Sequence, residues 1–463
     1  MSDRKWFGAA VRRKEDPPLL KGEGRFVGDI ELPGMLHAAF VRSPLAHARL
    51  RAVDAAAARR APGVHAVLAF ADLPEALRRN RLPNMMPNPI IAQSPTQFAL
   101  AGEEVAFVGE PVAVVVAESR YLAEDAAQLV EVEYEKLPAV ADCRAAIAEG
   151  APLVHLDTAS NIAARIPIVH GDVEAGFAAA AHVFQERFHL HRGGPFFIEC
   201  RGVVAAYEPA SGAYTVHVSS QGSHRIKDGL VDLFELGEHD VRVVTPDVGG
   251  GFGPKSAMYP EYPTVAACAK LLGRPVKWLE DRHENFLSTN MERDQHWTVE
   301  LAVDRDGKIL AIRGELVHDQ GAYMPSGVVI PWIAATTVPG PYVVPAFKMD
   351  VVVALTNKVA SSPVRGAGRP QAIFVMERLL DRVAGALSLD PAEVRRRNLV
   401  QPEMMPYKVG ITFRDGRPVV YDSGDYPECQ RRALAAADYE GFRKRQAAAR
   451  REGRHLGIGI ANA

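Results

Sequence analysis

The sequence predicts an α+β protein. Its length and two different residue patterns along the chain lead to this prediction. At about 150 residues per domain, the 463 residues suggest two to three domains, and a hydrophobic share of 48% can build large cores. The first stretch alternates strand-like with helix-like segments, whereas residues from about 160 to 360 are rich in β-branched alternation. We therefore expect one unit over residues 1–145 and a second unit over residues 146–463.

The first unit is predicted to contain four strands and two helices. Ser119 can cap the second helix. Leu122, Ala126 and Leu129 recur at helical spacing on one face of it. A proline-rich segment without a period, residues 81–95, is predicted to be a long loop. The predicted strands are "GMLHAAFVRS", "VHAVLAF", "EPVAVVVAE" and "VEVEYEKLPAV", and the predicted helices are "DAAAARRAPG" and "SRYLAEDAAQLV".

The second unit is predicted to be rich in strands and to contain helices later in the chain. Asp306 and Gly307 separate two alternating runs, which is a strong hairpin signal. Asp390 can cap a late helix, and Glu393 completes a capping box there. The predicted strands are "AYTVHVSSQ", "DVRVVTPDV", "QHWTVELAVD", "GKILAIRGELVHD" and "MDVVVALTN", and the predicted helices are "PTVAACAKLLG", "QAIFVMERLLDRVAGAL" and "DPAEVRRRNL".

The composition argues against several classes of protein. A formal charge of −2 and a pI near 6.7 provide no basic field for a nucleic acid. No run approaches the roughly 18 apolar residues that a membrane span needs, and no apolar stretch follows the N-terminal arginine pair as in a signal peptide. The four cysteines lie far apart without a C-x-x-C pair, which argues against a zinc ribbon or an iron–sulfur cluster in this chain. We expect a reduced, cytoplasmic setting.

A glycine-rich loop, "TPDVGGGFGPKS" at residues 245–256, lies between a predicted strand and a predicted helix. Glycine lets another group approach the main chain closely, and such a loop presents backbone N–H groups to anions. A Walker A loop is excluded because Pro254 precedes Lys255, and the spacing G-x-G-x-x-G of a dinucleotide fingerprint is absent. The alternative is a tight structural turn.

Two further glycine-containing loops offer hydrogen-bond donors. The segment "VSSQGSH" places Gln221 at the end of a strand, and "SSPVRGAGRPQAIF" places Arg365 ahead of a helix. Taken alone, Gln221 can be an ordinary loop hydrogen-bonder and Arg365 a solvated or salt-bridged side chain. Together, the three loops suit a large anionic ligand better than a small one.

The combination of "GGGFGPK", "SSQGSH" and "VRGAGRPQAIFVMERLLDRVAGALSLDPAEVRRRNL" resembles the molybdopterin-binding large subunit of the xanthine dehydrogenase and aldehyde oxidase family. The segment "KGEGRFVGDIELPGMLHAAFVRSPLAHARL" is similar to the α/β hammerhead domain of that family. The resemblance implies a hammerhead domain with an N-terminal arm over residues 1–145, in which His47 has a structural role. It implies the first half of a molybdopterin-binding domain, with mixed sheets and helices, over residues 146–463.

The resemblance implies a molybdenum ion on a pyranopterin dithiolene, either molybdopterin or its cytosine dinucleotide form. The glycine loop would lie beside the metal and the pterin, and Gln221 would hydrogen-bond the oxo group of the metal. No side chain is expected to bind the metal directly, because the part of the protein is orientation and electrostatics. The implied cofactor-binding residues are Gln221, Gly250, Gly251, Phe252, Gly253 and Arg365.

The resemblance further implies the oxidation of a C–H bond in a small molecule, an aldehyde or an N-heterocycle, with water as the oxygen source. Electrons would pass to iron–sulfur clusters and FAD. Because the cysteines of this chain show no cluster spacing, these centres would lie on partner chains, a 2Fe-2S subunit and an FAD subunit.

Three positions, Ser256, Arg293 and Ala367, bear on the substrate. Purine-oxidising relatives place a phenylalanine at Ala367 and a glutamate at Ser256, so an aldehyde or another heterocycle fits better than xanthine. Copper-containing carbon monoxide dehydrogenases carry a cysteine just after the arginine of the third loop, and its absence here argues against that activity. Arg293 lies near a family arginine that helps to bind substrate; the alternative is a surface salt bridge with Glu292 or Asp294.

The family's large subunit also contains a G-x-G-E-x-G segment whose glutamate is the general base, and this segment does not occur in the 463 residues. No catalytic residue is therefore assigned, and we expect Glu199 and Glu261 to form structural hydrogen bonds only. The chain is expected to be either a split subunit that a second molybdopterin chain completes, or a non-catalytic fragment with a structural or interaction role. Alone it would lack a base whose proton transfer contributes roughly 10²–10⁴ in rate.

Overall fold

The computed structural model of the chain describes residue 6 and residues 8–463 and confirms the α+β class. All strands and helices predicted for the first unit are present, together with short elements that the patterns do not predict. The strands are β1 (Leu36–Arg42), β2 (Ala48–Asp54), β3 (Val64–Ala69), β4 (Glu104–Val105), β5 (Pro111–Ala117) and β6 (Glu131–Lys136), and the helices are α1 (Asp16–Leu20), α2 (Ala56–Arg59), α3 (Glu75–Arg79) and α4 (Arg120–Ala127).

The second unit is richer in both helices and strands than the sequence predicts. Its strands are β7 (Ile162–His170), β8 (His182–Leu190), β9 (Gly202–Glu208), β10 (Ala213–Val218), β11 (Val241–Val244), β12 (Val276–Leu279), β13 (Gln295–Val303), β14 (Ile309–Gly321), β15 (Phe347–Leu355), β16 (Tyr407–Thr412) and β17 (Pro418–Tyr421). The helix α5 (Cys143–Ala146) crosses the predicted boundary between the units. The helices of the second unit are α6 (Val173–Ala178), α7 (Ser223–Phe234), α8 (Glu261–Leu272), α9 (Arg282–Ser288), α10 (Val329–Thr336), α11 (Arg369–Ala386), α12 (Pro391–Asn398), α13 (Tyr426–Ala436) and α14 (Tyr439–Arg451). Among the helices that the structure describes, none combines the length and the apolar character needed to cross a bilayer.

Two large sheets organise the chain. A seven-stranded sheet has the order β11-β10-β9-β12-β1-β5-β3, so strands from both predicted units lie in it, and β1 runs parallel to β12. A five-stranded sheet has the order β7-β15-β14-β13-β8, which leaves β7 and β8 at its edges. A three-stranded sheet, β4-β2-β6, and the hairpin β16-β17 complete the set. The division at residues 145 and 146 stays a prediction.

Each large sheet carries its own hydrophobic core. The core of the seven-stranded sheet includes Trp278 and Tyr262 and is covered by α8, which ends at Gly273 in the left-handed conformation (φ +61°). The core of the five-stranded sheet includes Trp297 and is covered by α10 and α11. The turn between β13 and β14 is the predicted hairpin, with Gly307 at φ +78°.

Two predicted details of the helices are wrong. Leu129 lies beyond the end of α4 and is 45% exposed, because the chain already turns at residue 128; Ala123 and Ala126 are the buried residues of that helix. Asp390 caps α12 as predicted, but the carboxylate of Glu393 does not complete a capping box. It binds Arg396 and Arg397 instead, since two guanidinium groups lie within reach of it.

A buried polar cluster joins the first unit to the second. Nδ1 of His155 lies 3.1 Å from Glu104 Oε1, and its Nε2 lies 2.6 Å from the carbonyl oxygen of Ala322. Both ring nitrogens of His155 therefore face oxygen atoms. Nδ1 of His47 lies 2.7 Å from Pro138 O, and its Nε2 lies 3.5 Å from Glu104 Oε2. These contacts support the structural role expected for His47.

Glu110, in the same cluster, is the carboxyl group that burial perturbs most clearly. Its Oε1 accepts a hydrogen bond from the Tyr323 hydroxyl and its Oε2 accepts one from the Ala106 N–H, each at 2.6 Å. Burial nevertheless raises the pKa of Glu110 to about 7. The pKa of an unfolded glutamate is 4.5, so Glu110 takes up a proton on folding between these two pH values.

We expect stability to fall as the pH rises from 4.5 to 7, by about 3 kcal/mol from Glu110 alone, because the folded state binds the additional proton. Glu110→Gln keeps an acceptor for the Ala106 N–H, and its amide can donate to the Tyr323 hydroxyl oxygen in place of the present bond. Because glutamine does not ionise, the stability of this variant should lack the loss. Urea unfolding at pH 5 and pH 8 measures the difference, with exposed Glu149→Gln as the control. Parallel pH dependences of the parent and Glu110→Gln would contradict the prediction.

Candidate functional site

The glycine loop follows β11 and has a conformation that side chains resist. Gly250 has φ +94°, Phe252 φ +52° and Gly253 φ +119°. A Cβ atom on Gly253 would lie 2.0 Å from the carbonyl oxygen of Pro363, which is a backbone atom and cannot give way cheaply. Glycine is therefore required at position 253 by both the backbone angle and the close approach of a second loop.

Gln221 connects its own loop to the glycine loop. Its Oε1 accepts a hydrogen bond from the Gly253 N–H at 2.7 Å, and its backbone N–H donates to Lys255 O at 3.0 Å. A Cβ atom on Gly251 would lie 2.6 Å from the Gln221 side chain, so glycine leaves the room that this side chain occupies. Gln221 is exposed, and its Nε2 donates to no acceptor in the described part of the chain. This amide can donate to a ligand.

The loop that carries Arg365 completes the arrangement. The Arg365 N–H donates to Phe252 O at 2.8 Å, which joins this loop directly to the glycine loop. Gly366 and Gly368 have φ values near +100° and lead the chain into α11. The Arg365 side chain is exposed, and no carboxylate of residues 8–463 forms a salt bridge with it. The structure thus places the six predicted cofactor-binding residues on three contacting loops.

A buried lysine, to which the sequence patterns assign no role, supports the glycine loop from behind. Nζ of Lys255 donates to Glu199 Oε2 at 2.9 Å and to Ser219 Oγ at 2.7 Å. The same Glu199 oxygen accepts the Gly249 N–H at 2.8 Å, which confirms the structural hydrogen bonding expected for Glu199. Burial lowers the pKa of Lys255, although the charge of Glu199 opposes this. In the sequence, the one signal for this support is a lysine two residues after the last glycine of the loop.

The three predicted substrate residues lie at or beside these loops. Ser256 Oγ donates to Gly253 O at 2.5 Å, so this hydroxyl is already engaged. Ala367 is half-buried at φ +46° between two glycines. Arg293 pairs with Glu292 at 3.0 Å, which is the contact expected under the alternative interpretation. The neighbouring Met291 is hydrogen-bonded to the chain just before the Arg365 loop.

Exposed apolar side chains flank the donors. Phe252 is 44% exposed at the tip of the glycine loop, and Ile198 is 94% exposed next to Glu199. Phe196 and Phe286, also exposed, form an edge-to-face pair with ring centroids 4.9 Å apart. The site therefore combines a polar floor with an apolar rim.

The chemistry of this site is that of an anion cradle. The backbone N–H groups of Gly250, Gly251 and Phe252 meet no acceptor among the described residues, and the Gln221 amide and the Arg365 guanidinium also remain open. Preorganised donors of this kind bind and orient a group that carries several negative charges. None of the six predicted cofactor-binding residues has a carboxylate, imidazole or thiolate side chain, so these residues offer orientation rather than metal ligands.

Two protein-family models together match most of the chain. A family model for the "Molybdopterin cofactor-binding domain" matches residues 154–399. A second, "Aldehyde oxidase and xanthine dehydrogenase, a/b hammerhead domain", matches residues 21–138.

Curated relatives include the large chain of carbon monoxide dehydrogenase from Hydrogenophaga pseudoflava and the nicotine 6-hydroxylase large subunit from Paenarthrobacter nicotinovorans. Both are 36% identical; the matches cover 96% and 99% of this chain and 56% and 55% of the relatives. The crystal structure of quinoline 2-oxidoreductase from Pseudomonas putida 86 superposes with a TM-score of 0.91 at 37% identity, over 98% of this chain and 57% of that one. The chain thus spans a little over half the length of these relatives.

Proposed function

Because the chain belongs to the aldehyde oxidase and xanthine dehydrogenase family, we propose that it forms the cofactor-binding portion of a molybdenum hydroxylase. This enzyme would oxidise a C–H bond of an N-heterocycle or an aldehyde with water as the source of oxygen. The observation that carries the proposal is the contact of three sequence-distant loops whose donors are left open.

The residues of the site fit a molybdopterin. The space kept free of Cβ atoms at Gly251 and Gly253 lets the loops approach one another, and the open N–H groups face a region without protein acceptors. Arg365 would hold an anionic group of the cofactor, and Gln221 would donate its amide to the oxygen on the metal. When bound, the molybdenum centre supplies two-electron oxidation of the substrate carbon.

The chain's own residues would orient the reactants and exclude water. Gln221 is held by the Gly253 N–H, so its remaining amide donors point in a defined direction. The buried Lys255–Glu199 pair keeps the base of the glycine loop in place. The exposed apolar side chains of Phe252 and Ile198 would help to shield the site from water if a second chain packed over them.

The substrate class rests on two positions and on the relatives. Ala367 and Ser256 have small side chains where purine-oxidising relatives are expected to have a phenylalanine and a glutamate, which disfavours xanthine. Two relatives, nicotine 6-hydroxylase and quinoline 2-oxidoreductase, are named after N-heteroaromatic compounds. We therefore favour an N-heteroaromatic substrate, with an aldehyde second.

We further propose that a second molybdopterin chain, a 2Fe-2S subunit and an FAD subunit complete the enzyme, in the cytoplasm. The "Nicotinate dehydrogenase large molybdopterin subunit" of Eubacterium barkeri, which is 29% identical and is covered over 94% of its length, supports the proposal of a second chain. In the proposed complex, the second chain would supply the general base.

Molybdenum content tests this proposal. The tagged chain, purified with its associated subunits from cells that supply the cofactor, should contain about one molybdenum per chain. Arg365→Gln should retain roughly tenfold less, because a charge-assisted hydrogen bond is worth about 1.5–3 kcal/mol. Arg378→Gln is the matched control, since Arg378 is exposed on α11 and pairs only with Asp381.

Two outcomes would contradict the proposal. Only traces of molybdenum in the parent complex, with ample cofactor supply, would favour the non-catalytic fragment. Equal molybdenum contents in Arg365→Gln and Arg378→Gln would show that Arg365 does not bind the cofactor.

A further inference from the structure

A pair of histidines faces across the edge of the five-stranded sheet. His189 on β8 is the direct cross-strand partner of His296 on β13. Their rings are nearly parallel, with centroids 4.0 Å apart and an interplanar angle of 13°. The ring of His191 lies 4.1 Å from that of His189. These imidazoles lie on other elements than the three loops of the cofactor site.

A carboxylate is directed at this pair by an unusual backbone. Asp294 is buried, immediately precedes β13 and places its Oδ1 3.1 Å from His189 Nε2. Arg293 and Asp294 both have φ +65°, the left-handed region that non-glycine residues rarely adopt. Two consecutive residues in this conformation cost free energy, and here they turn a carboxylate toward two imidazoles.

We infer that His189, Asp294 and His296 form a binding site for a divalent transition-metal ion, with Zn²⁺ as the ion to test. One potential ligand atom from each residue lies within 4.8 Å of the others. Ligands at zinc distances of about 2.0–2.2 Å lie roughly 3.3 Å apart on a tetrahedron, so binding requires the two stacked rings to tilt toward a common ion. Two imidazoles and one carboxylate leave a position open for water or for His191.

The charges around the site tolerate a cation. Lys358 donates to Asp294 Oδ2 at 2.7 Å, which leaves Oδ1 for the metal and holds the carboxylate in place. Lys358 and Arg192 both lie near Asp319, so these charges largely offset one another.

Asp142 and Arg144 lie farther from His296 and form a salt bridge with each other, so their opposite charges offset at His296 as well. Imidazole nitrogen and carboxylate oxygen are both ligands that zinc takes in proteins.

The position of the site indicates what a metal would do. β8 is an edge strand, paired on one side only with β13. A metal that bridges His189 and His296 would fasten this edge to the sheet. It would also hold Asp294, whose carbonyl oxygen accepts the Asp319 N–H at 2.9 Å. Zn²⁺ should accordingly raise the thermal unfolding temperature of the chain.

Titration of the metal-stripped chain of residues 1–463 with Zn²⁺, followed by calorimetry under reducing conditions, tests the inference. We expect one Zn²⁺ per chain, and a visible absorption band when Co²⁺ is used as the probe. His189→Ala and His296→Gln should each weaken binding by about tenfold or more. His283→Ala, the removal of an exposed histidine on α9, should leave it unchanged.

Two results would overturn the inference. The first is the absence of saturable Zn²⁺ binding by the parent. The second is a double variant, His189→Ala with His296→Gln, that binds Zn²⁺ as tightly as the parent. Circular dichroism establishes that each variant is folded. Because the imidazoles are not in either large core, the variants are expected to fold. Asp294→Asn, which changes the shape of the side chain little, should also weaken Zn²⁺ binding.

Discussion

Arg201→Met is expected to lower the free energy of unfolding by about 3–5 kcal/mol. The Arg201 side chain is fully buried and donates to Glu261 Oε2 at 2.9 Å and to Glu280 Oε1 at 2.8 Å. Its guanidinium also lies 3.9 Å from the centroid of the Tyr259 ring. Both carboxylates are buried as well, so removing the arginine leaves uncompensated negative charge in the interior.

The effect reaches both units because the network continues through Arg42 on β1. Arg42 donates to Glu261 Oε1 and to Glu284 Oε1, each at 2.9 Å, and so connects β1 with α8 and α9. Burial alone would raise the pKa of Glu261, but the charges of Arg201 and Arg42 outweigh it and lower the pKa. The contribution of Glu261 to stability is therefore complete above its ordinary pKa and is lost as the pH falls below it.

Urea unfolding at pH 7, followed by circular dichroism, measures the loss in Arg201→Met. The control is Arg431→Met on the exposed helix α13, where solvent screens the pair with Glu428 and its loss should change stability little. Arg201→Lys keeps the charge but loses the two-pronged geometry, so it should fall between the parent and the methionine variant. A loss below about 1 kcal/mol in Arg201→Met would show that the network is not stabilising in the way described.

Gly253→Ala is expected to reduce retained molybdenum by at least about tenfold, which corresponds to about 1.4 kcal/mol. The added Cβ would lie 2.0 Å from Pro363 O, and the residue would keep φ near +119°, which alanine resists. The two loops must move apart. This movement breaks the hydrogen bond from the Gly253 N–H to Gln221 and the one from the Arg365 N–H to Phe252.

The matched control for this change is Gly222→Ala, next to Gln221. The atoms nearest to its Cβ would be those of the Arg225 side chain, at 3.7–3.8 Å, which is ordinary van der Waals contact, so it should retain molybdenum like the parent. A second measurement needs no cofactor. Trypsin should cut the Arg365–Gly366 bond faster in Gly253→Ala, because the loop has lost its contacts. Equal molybdenum contents and equal cleavage rates in the two variants would contradict the proposed coupling of the loops.

Much of the fold could be predicted because it depends on local patterns. The continuous apolar run of β5, the cap at Ser119 and the turn at Gly307 each act within a few residues of chain. The strand β8, "HVFQERFHL", is not predicted. Its alternation carries charged and histidine side chains, as suits an exposed sheet edge, and hides the hydrophobic period.

The supporting contacts of the site could not be predicted in the same way. Lys255 follows the glycines in sequence, but its partner Glu199 lies 56 residues away and its partner Ser219 lies 36 residues away. No periodicity relates such positions. The same is true of His189 and Asp294, which are 105 residues apart and meet because β8 and β13 pair in one register.

By itself, the sequence determined the α+β class, the family and the identity of three glycine-containing loops, since residue type and short spacing carry that information. Only the tertiary structure decided that these loops touch, that Gln221 binds the Gly253 N–H, and that Arg365 keeps its guanidinium open. The physical reason is that strand register and core packing set distances between residues far apart in the chain, and both depend on the whole set of buried contacts.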